Sequence, residues 1–502
     1  MAEPEDLSEP QFAKPLTTNQ RSPKRNKRGF TCPPLYIITK VITLAFIGIL
    51  LWASLWSVIG DDALPGGNLF ALFMLVVIGE IAGFIVEAIH LPGLLGMLLT
   101  GFLLRNIPCS SLRLADDIDP CWSATLRSMA LVVILLQAGL GLDAAALRRL
   151  SLVCVRLCCL PCLAEAVTAA IAAHFILGFP WLWGLMLGFV LGAVTPAVIV
   201  PSLMSLQEKG YGKDQGIPTL IIAAASCDDV LAISAFGVVL GMAFSTGNVI
   251  FSILRGPLEL VIGLVYGLSG GVLVWYIPHD KKTASQLRFI FLVSGGILAV
   301  FGSDLAGLPG AGALGCLTLA FVAGHGWKDS KEPVEVQLNH LWLMFQPLLF
   351  GLIGAEVLLE DIQLSTLGLG LITLFLGLIV RTIVSGLAVT RAGLNTKEII
   401  FVAVAWLPKA TVQAAIGSVA LETARGKSSY EHLEVYGSQI LTIAVLSIIL
   451  TAPLGAVLIS LLGPHLLQKS AGKVEEAGRQ LKRSSSGERD EEDEEPETAA
   501  MG

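Results

Sequence analysis

Apolar residues run almost without interruption from about position 36 to position 467, and polar residues gather in short clusters between the runs. The runs show no period-two alternation, and most are near the ~20 residues a helix needs to cross a bilayer. Lipid cannot satisfy free backbone groups, so spanning segments must be helices or a closed barrel. The missing alternation excludes the barrel. Cut at its polar clusters, the chain predicts fourteen spans, at roughly 36–59, 68–89, 91–105, 123–141, 148–176, 179–205, 216–244, 249–277, 287–304, 309–325, 334–356, 363–392, 396–424 and 434–465. The expected fold is an all-α polytopic membrane protein of about 14 transmembrane helices, with polar tails at 1–34 and 468–502.

An even count puts both tails on one side. Loop charge tests this independently, because cytoplasmic loops carry an excess of Lys and Arg. With a cytoplasmic N-tail, the same side receives Arg148, Arg149, Lys209, Lys213, Lys281, Lys282, Lys328, Lys331, Arg391 and Lys397. The opposite side receives Arg113, Arg425, Lys427 and Arg105. Both termini are therefore expected to be cytoplasmic. The N-tail is basic and has no apolar core near its start, so the first run reads as an anchor rather than a cleaved leader. The C-tail starts basic at Lys469 and Lys473, ends acidic over 488–497, and is expected to be disordered.

Composition serves mainly to exclude. Hydrophobic residues make up 54% and charged residues 15% of the 502, against ~25% charged in soluble domains. The net charge of −7 comes largely from the acidic tail and says little about partners. No nucleotide, zinc or nucleophile motif stands in any loop, so a transporter without a cofactor is expected rather than an enzyme. The nine cysteines have no framework spacing. Cys109 and Cys121 share one outer loop, where they are either free or bridged. Cys154, Cys158, Cys159 and Cys162 share one span and read as small apolar packing residues.

Two spans are interrupted. One reads Gly192-Ala193-Val194-Thr195-Pro196-Ala197, the other Ala405-Trp406-Leu407-Pro408-Lys409-Ala410. Proline removes a donor and clashes with the preceding turn, so each span is expected to kink or unwind there. Pro408 lies 212 positions after Pro196 (408 − 196), in spans thirteen and six. That offset predicts two inverted six-helix repeats, at about 68–244 and 287–465, joined by a linker span at 249–277. The span at 36–59 is then an extra N-terminal element. Broken spans in matching positions of two halves mark a transport site near the membrane midplane.

Ionisable groups inside the spans are the candidate chemistry. They are Glu80, Glu87, Arg127, Arg156, Glu165, Asp228, Asp229, Glu259, Asp304, Glu356, Arg381 and Lys409. Arg156, Glu259 and Glu356 are near span ends and are expected to snorkel. Asp228 and Asp229 are well inside their span. Neighbours on a helix point about 100° apart, so one carboxylate can face a cavity while the other meets a fixed partner. A carboxylate in a cavity suits either a proton or a hard cation such as Na⁺. Lys409 is at the second break, where half-helix ends carry partial charge. The same 212-residue offset carries Arg381 to 169, one turn from Glu165, which suggests a Glu165–Arg381 pair. Asp228 is the alternative partner for Arg381. Thr195 offers a hydroxyl beside the first break as an ion ligand.

Two broken spans, an Asp-Asp pair in the span after the first, and a Lys at the second resemble the monovalent cation:proton antiporters. Tyr211-Gly212, Gly216-Ile217-Pro218-Thr219-Leu220, Asp228-Asp229-Val230-Leu231-Ala232-Ile233 and Trp406-Leu407-Pro408-Lys409-Ala410-Thr411-Val412-Gln413-Ala414 resemble in particular the NHA branch of animal sodium/hydrogen exchangers. The resemblance implies a core domain with two crossing broken helices, a separate dimerisation domain, and an elevator-like motion. It implies a homodimer with membrane lipids at its interface, in the plasma membrane with endosomal or other organellar pools. Asp229 would carry Na⁺, Li⁺ or H⁺ in competition. Asp228 would be its partner or a second Na⁺ ligand, and Lys409, Arg381 and Glu165 the supporting charges. Pro196 stands where some electroneutral exchangers carry an acid, so that ligand is absent here. A permanently charged Arg381 locking one acid favours one-for-one exchange. The main rival is a sodium-coupled organic-solute symporter of related architecture, although Ala, Val and Leu around the breaks offer little to bind an organic solute.

Overall fold

The computed structural model describes residues 35–89, 91–106, 114–141, 152–212, 217–244, 249–276, 284–358, 364–425 and 433–469. The N-tail, and the C-tail beyond Lys469, therefore fall outside the described residues. So do Cys109, Arg113, Arg148, Arg149, Lys213, Lys281, Lys282 and Lys427, and with Cys109 the Cys109–Cys121 question. The chain divides into a unit ending at Ser54 and a unit from Leu55 onward. The first holds most of helix α1 (Leu35–Ile59), an apolar helix with Ile42, Phe46 and Leu50 on its exposed surface.

The second unit is built of helices. In chain order they are α2 (Asn68–Ala88), α3 (Gly93–Asn106), α4 (Pro120–Gly141), α5 (Leu152–Leu177), α6 (Trp181–Gly192), α7 (Pro196–Glu208), α8 (Ile217–Ala243) and α9 (Val249–Trp275). Then follow α10 (Ala284–Leu305), α11 (Pro309–Trp327), α12 (Glu332–Glu356), α13 (Leu364–Ala388), α14 (Thr396–Ala405), α15 (Thr411–Ile416), α16 (Val419–Arg425) and α17 (Glu434–Leu466). Among the described residues, ten helical segments are long and apolar enough to cross a membrane, and Phe46–Ile59, Gly93–Asn106 and Ala311–Trp327 are shorter apolar helices. Large apolar side chains also cover much of the outer surface, among them Phe84, Phe175, Leu298 and Leu387. The chain is an integral membrane protein.

The helices form two packed groups, α2–α4 with α9–α12, and α5–α8 with α13–α17. Lipid gives no hydrophobic drive between helices, so close packing needs small residues at the contacts. At the α5–α6 crossing, a Cβ on Gly188 would stand 3.0 Å from the Ala166 Cα. At the α3–α12 crossing, a Cβ on Gly101 would stand 2.7 Å from the Gly351 carbonyl carbon.

Helix α8 packs on α9 and α11 of the first group, while α4 meets α15. At one end an ion network also joins the groups. Arg127 of α4 pairs with Glu422 of α16 at 2.9 Å and with Glu356 of α12 at 3.3 Å. Arg425 pairs with Glu356 as well, and lies 3.8 Å from Glu434. Other bonds stay within one group: Lys331 Nζ donates to the Leu140 carbonyl (2.7 Å) in the first, and Gly212 N–H donates to the Gln468 carbonyl (2.9 Å) in the second.

This arrangement corrects two expectations. Glu356 does not snorkel but is held between two arginines. Glu259 does not snorkel either: it is fully buried on α9, where a Cβ on Gly241 of α8 would stand 2.7 Å from its carboxylate. Position near a span end says nothing about which helix packs over it.

Candidate functional site

The two interrupted helices meet at their breaks. Helix α6 stops at Gly192, residues 193–195 are unwound with Ala193 and Thr195 extended, and α7 restarts with Pro196 at its first turn, where a missing N–H costs nothing. Helix α14 starts on a capping box, in which Asn395 and Glu398 exchange hydrogen bonds, and ends at Ala405. Residues 406–410 are unwound before α15. Thr195 N–H donates to the Pro408 carbonyl (3.0 Å), and the Thr195 and Thr411 hydroxyls are 2.9 Å apart. Lys409 N–H donates to Thr451 Oγ1 of α17 (3.0 Å).

A break leaves carbonyls without partners, and buried carbonyls must find donors. Here they find side chains. Gln413 Nε2 donates to the Val190 and Ala193 carbonyls, each at 2.9 Å. Lys409 Nζ donates to the Leu191 carbonyl, and Arg381 to the carbonyls of Gly192 and, through Nε at 2.8 Å, Trp406. Arg381 thus caps the carbonyl ends of α6 and α14 together.

The same cations hold the acids. Arg381 Nη1 donates to Glu165 Oε2 (2.6 Å), and Nη2 donates to Asp228 Oδ2 (2.9 Å). Lys409 Nζ straddles the Glu165 carboxylate at 2.8 and 2.9 Å. Val194 N–H, in the first break, donates to Asp228 Oδ2 at 2.8 Å. Glu165, Asp228, Arg381 and Lys409 have no exposed surface. The sequence left Arg381 with two alternative partners; the structure gives it both, and assigns Lys409 to Glu165.

Asp229 stands apart. It is 4% exposed, and no described residue donates a hydrogen bond to it or pairs with it. With every group ionised, the cluster holds three carboxylates and two cations, which leaves one negative charge over. Thr195 is fully buried, and its hydroxyl is already shared with Thr411, so it braces the breaks as well as lying beside them. Pro196 and Pro408 are at the restart of α7 and in the second unwound stretch. Sequence reasoning gave no role to Gln413, Thr411 or Thr451. Their signal is faint, since uncharged polar residues are ordinary in membrane helices. Thr411 and Gln413 had a cue, three and five residues past Pro408. Among the described residues no group of three or more His, Cys, Asp or Glu is placed to hold a metal. Cys154, Cys158 and Cys162 are buried and unbridged in α5.

Comparison with known proteins covers the same region. The family described as "Sodium/hydrogen exchanger, transmembrane" matches residues 70–463. Sodium/hydrogen exchanger 9B2 of Homo sapiens is 50% identical over 453 residues, 89% of this chain and 84% of that protein. Sodium/hydrogen exchanger 9B1 of Homo sapiens is 44% identical over 460 residues, 90% of this chain and 88% of that protein. The solved structure of the sodium proton antiporter MjNhaP1 from Methanocaldococcus jannaschii superposes with a TM-score of 0.63 at 17% identity, over 80% of this chain and 98% of that one. At that identity the likeness is one of fold.

Proposed function

Because the chain belongs to the sodium/hydrogen exchanger family, we propose that it is a secondary active antiporter that exchanges Na⁺ or Li⁺ for H⁺, with Asp229 as the group both ions occupy in turn. It is a transporter and not an enzyme. The observation that carries the reading is the division of labour in the buried cluster. Arg381 and the Val194 N–H hold Asp228, Arg381 and Lys409 hold Glu165, and Asp229 is left unpartnered.

The surplus charge supplies the coupling. A buried unpaired charge is costly in a low-dielectric interior. With a cation or a proton on Asp229 the cluster is neutral and can cross; empty, it carries one negative charge and is held back. Two neutral loaded forms and one charged empty form give one-for-one exchange that moves no net charge. Asp228 serves as the partner of Asp229 and as a second Na⁺ ligand through its free Oδ1; Thr195 Oγ1 accepts from the Thr411 N–H (3.3 Å) and, with its hydroxyl donating to Thr411 Oγ1, keeps one lone pair for the ion.

The proposed architecture has about fourteen crossings, with inverted repeats at 68–244 and 287–465, a linker at 249–277, an extra span at 36–59 and cytoplasmic tails at 1–34 and 468–502. It is supported by the packing of α5–α8 with α13–α17, the second halves of the two repeats, and of α2–α4 with α10–α12, the first halves. The first-half group is the dimerisation domain of a homodimer with lipids at its interface. The plasma membrane, with organellar pools, is the proposed location.

The test is proton flux in proteoliposomes loaded with a pH dye. Addition of Na⁺ or Li⁺ drives proton movement in the wild type, and Asp229→Asn abolishes it in protein that still elutes as a folded species. Full exchange by Asp229→Asn removes Asp229 from the mechanism. Absence of cation-dependent flux from folded wild type removes the antiporter reading and turns the test to organic solutes.

A further inference from the structure

Helices α5 and α13 pack along their length, and on their outer side they leave an open groove of about 620 Å³. Leu160, Leu163 and Val167 of α5 and Val384 and Leu387 of α13 line it. Leu160, Leu163, Val167 and Leu387 are between 42% and 63% exposed, so this face is covered by no other part of the described chain. The groove has one charged residue, Arg156. Arg156 is half-buried one turn into α5, and no described residue makes a hydrogen bond or an ion pair with it.

A guanidinium does not shed its proton to escape burial, and an unpaired charge in a membrane-spanning helix is costly. Arg156 therefore lacks a counter-anion that its surroundings must supply. From Arg156 to Thr168, the two ends of the groove on α5, twelve helical steps run about 18 Å. One leaflet is about 15 Å deep, half of the ~30 Å hydrocarbon core. A cation at the mouth of an apolar channel one leaflet long matches a phosphate joined to an acyl chain. A free phosphate leaves the apolar floor uncovered, and a bare hydrocarbon leaves the guanidinium unpaired. Arg391, exposed three residues beyond the end of α13, adds a second cation at the same end of the helix pair.

We propose that the α5–α13 groove is a binding site for one anionic membrane phospholipid, its phosphate on Arg156 and one acyl chain along Leu160, Leu163 and Val167. Guanidinium and phosphate meet in a two-pronged, charge-assisted contact. The groove lies directly outside Glu165 and Arg381, which the same two helices carry on their inner faces, so a bound lipid holds together the helix pair that presents the central ion pair.

The test is native mass spectrometry of the full chain in detergent, titrated with phosphatidylglycerol and, separately, phosphatidylcholine. The wild type is expected to retain one phosphatidylglycerol per chain and to prefer it over phosphatidylcholine. Arg156→Gln is expected to weaken phosphatidylglycerol about tenfold, the loss of one charge-assisted contact, and leave phosphatidylcholine unchanged. Ala164→Phe, which fills the groove and keeps Arg156, is expected to remove the bound lipid too. Equal retention of the two lipids by the wild type, or unchanged phosphatidylglycerol binding in Arg156→Gln, overturns the proposal. A photoactivatable phosphatidylglycerol on the wild type needs no variant to fold: labelling of α5 and α13 is the expected result, and labelling confined to other helices overturns it. None of these readouts involves transport, so they stand or fall apart from the exchange reading.

Discussion

Arg381 answers four acceptors with one side chain: Glu165, Asp228 and the carbonyls of Gly192 and Trp406. Only a planar fork of five donors spans that set, so a lysine is no substitute. Arg381→Lys is expected to lower the thermal unfolding midpoint in detergent, since breaking a buried pair costs about 3–5 kcal/mol. A midpoint equal to wild type would show that the four contacts contribute nothing. Exchanging Glu165 and Arg381 for each other is expected to restore part of the stability lost in either single replacement. Rescue stays partial because Lys409 also rests on Glu165, and the exchange sets an arginine against it. Strict additivity in that cycle would reject the pair. These charges were legible from sequence because each interrupts an apolar run. Glu356 was misread because its two arginines come from helices distant in the chain, and Glu259 because the packing of α9 on α8 is not written in its local sequence.

At the scale of the element, each break is closed by the other. Thr195 and Thr411 tie them together, and Gln413 caps two carbonyls at the end of α6. Gln413→Leu leaves both carbonyls buried without a donor, at a cost of about 1–3 kcal/mol each. The expected readout is a lower unfolding midpoint with Asp229 untouched, and an unchanged midpoint would mean other donors fill in. Thr195→Val and Thr411→Val are expected to be non-additive, the double variant losing less than the sum of the two; a sum would show that the hydroxyls act independently. The prolines made the breaks themselves visible. The way the breaks are closed was not visible, because uncharged donors carry no periodicity signal. The span expected at 396–424 also divides a second time, into α15 and α16 at Gly417 and Ser418, where no proline gives warning.

At the scale of the molecule, the proposed one-for-one exchange on Asp229 predicts transport indifferent to voltage. Sodium-driven proton flux is expected to stay the same with the membrane potential clamped at zero or held inside-negative; flux that follows the potential would require unequal charge movement and a second titrating group. The capping of α6 also bears on how the chain is made. The carbonyls of Val190, Leu191, Gly192 and Ala193 find their donors 189 to 223 residues later, on Arg381, Lys409 and Gln413. At about 5–20 residues per second of synthesis, that is a wait on the order of ten to forty seconds. During that time the first half is in the bilayer with its helix end open. A ribosome product that stops short of position 381 never closes it, and presents to membrane quality control a lesion in α6 that no change within α6 itself would have caused.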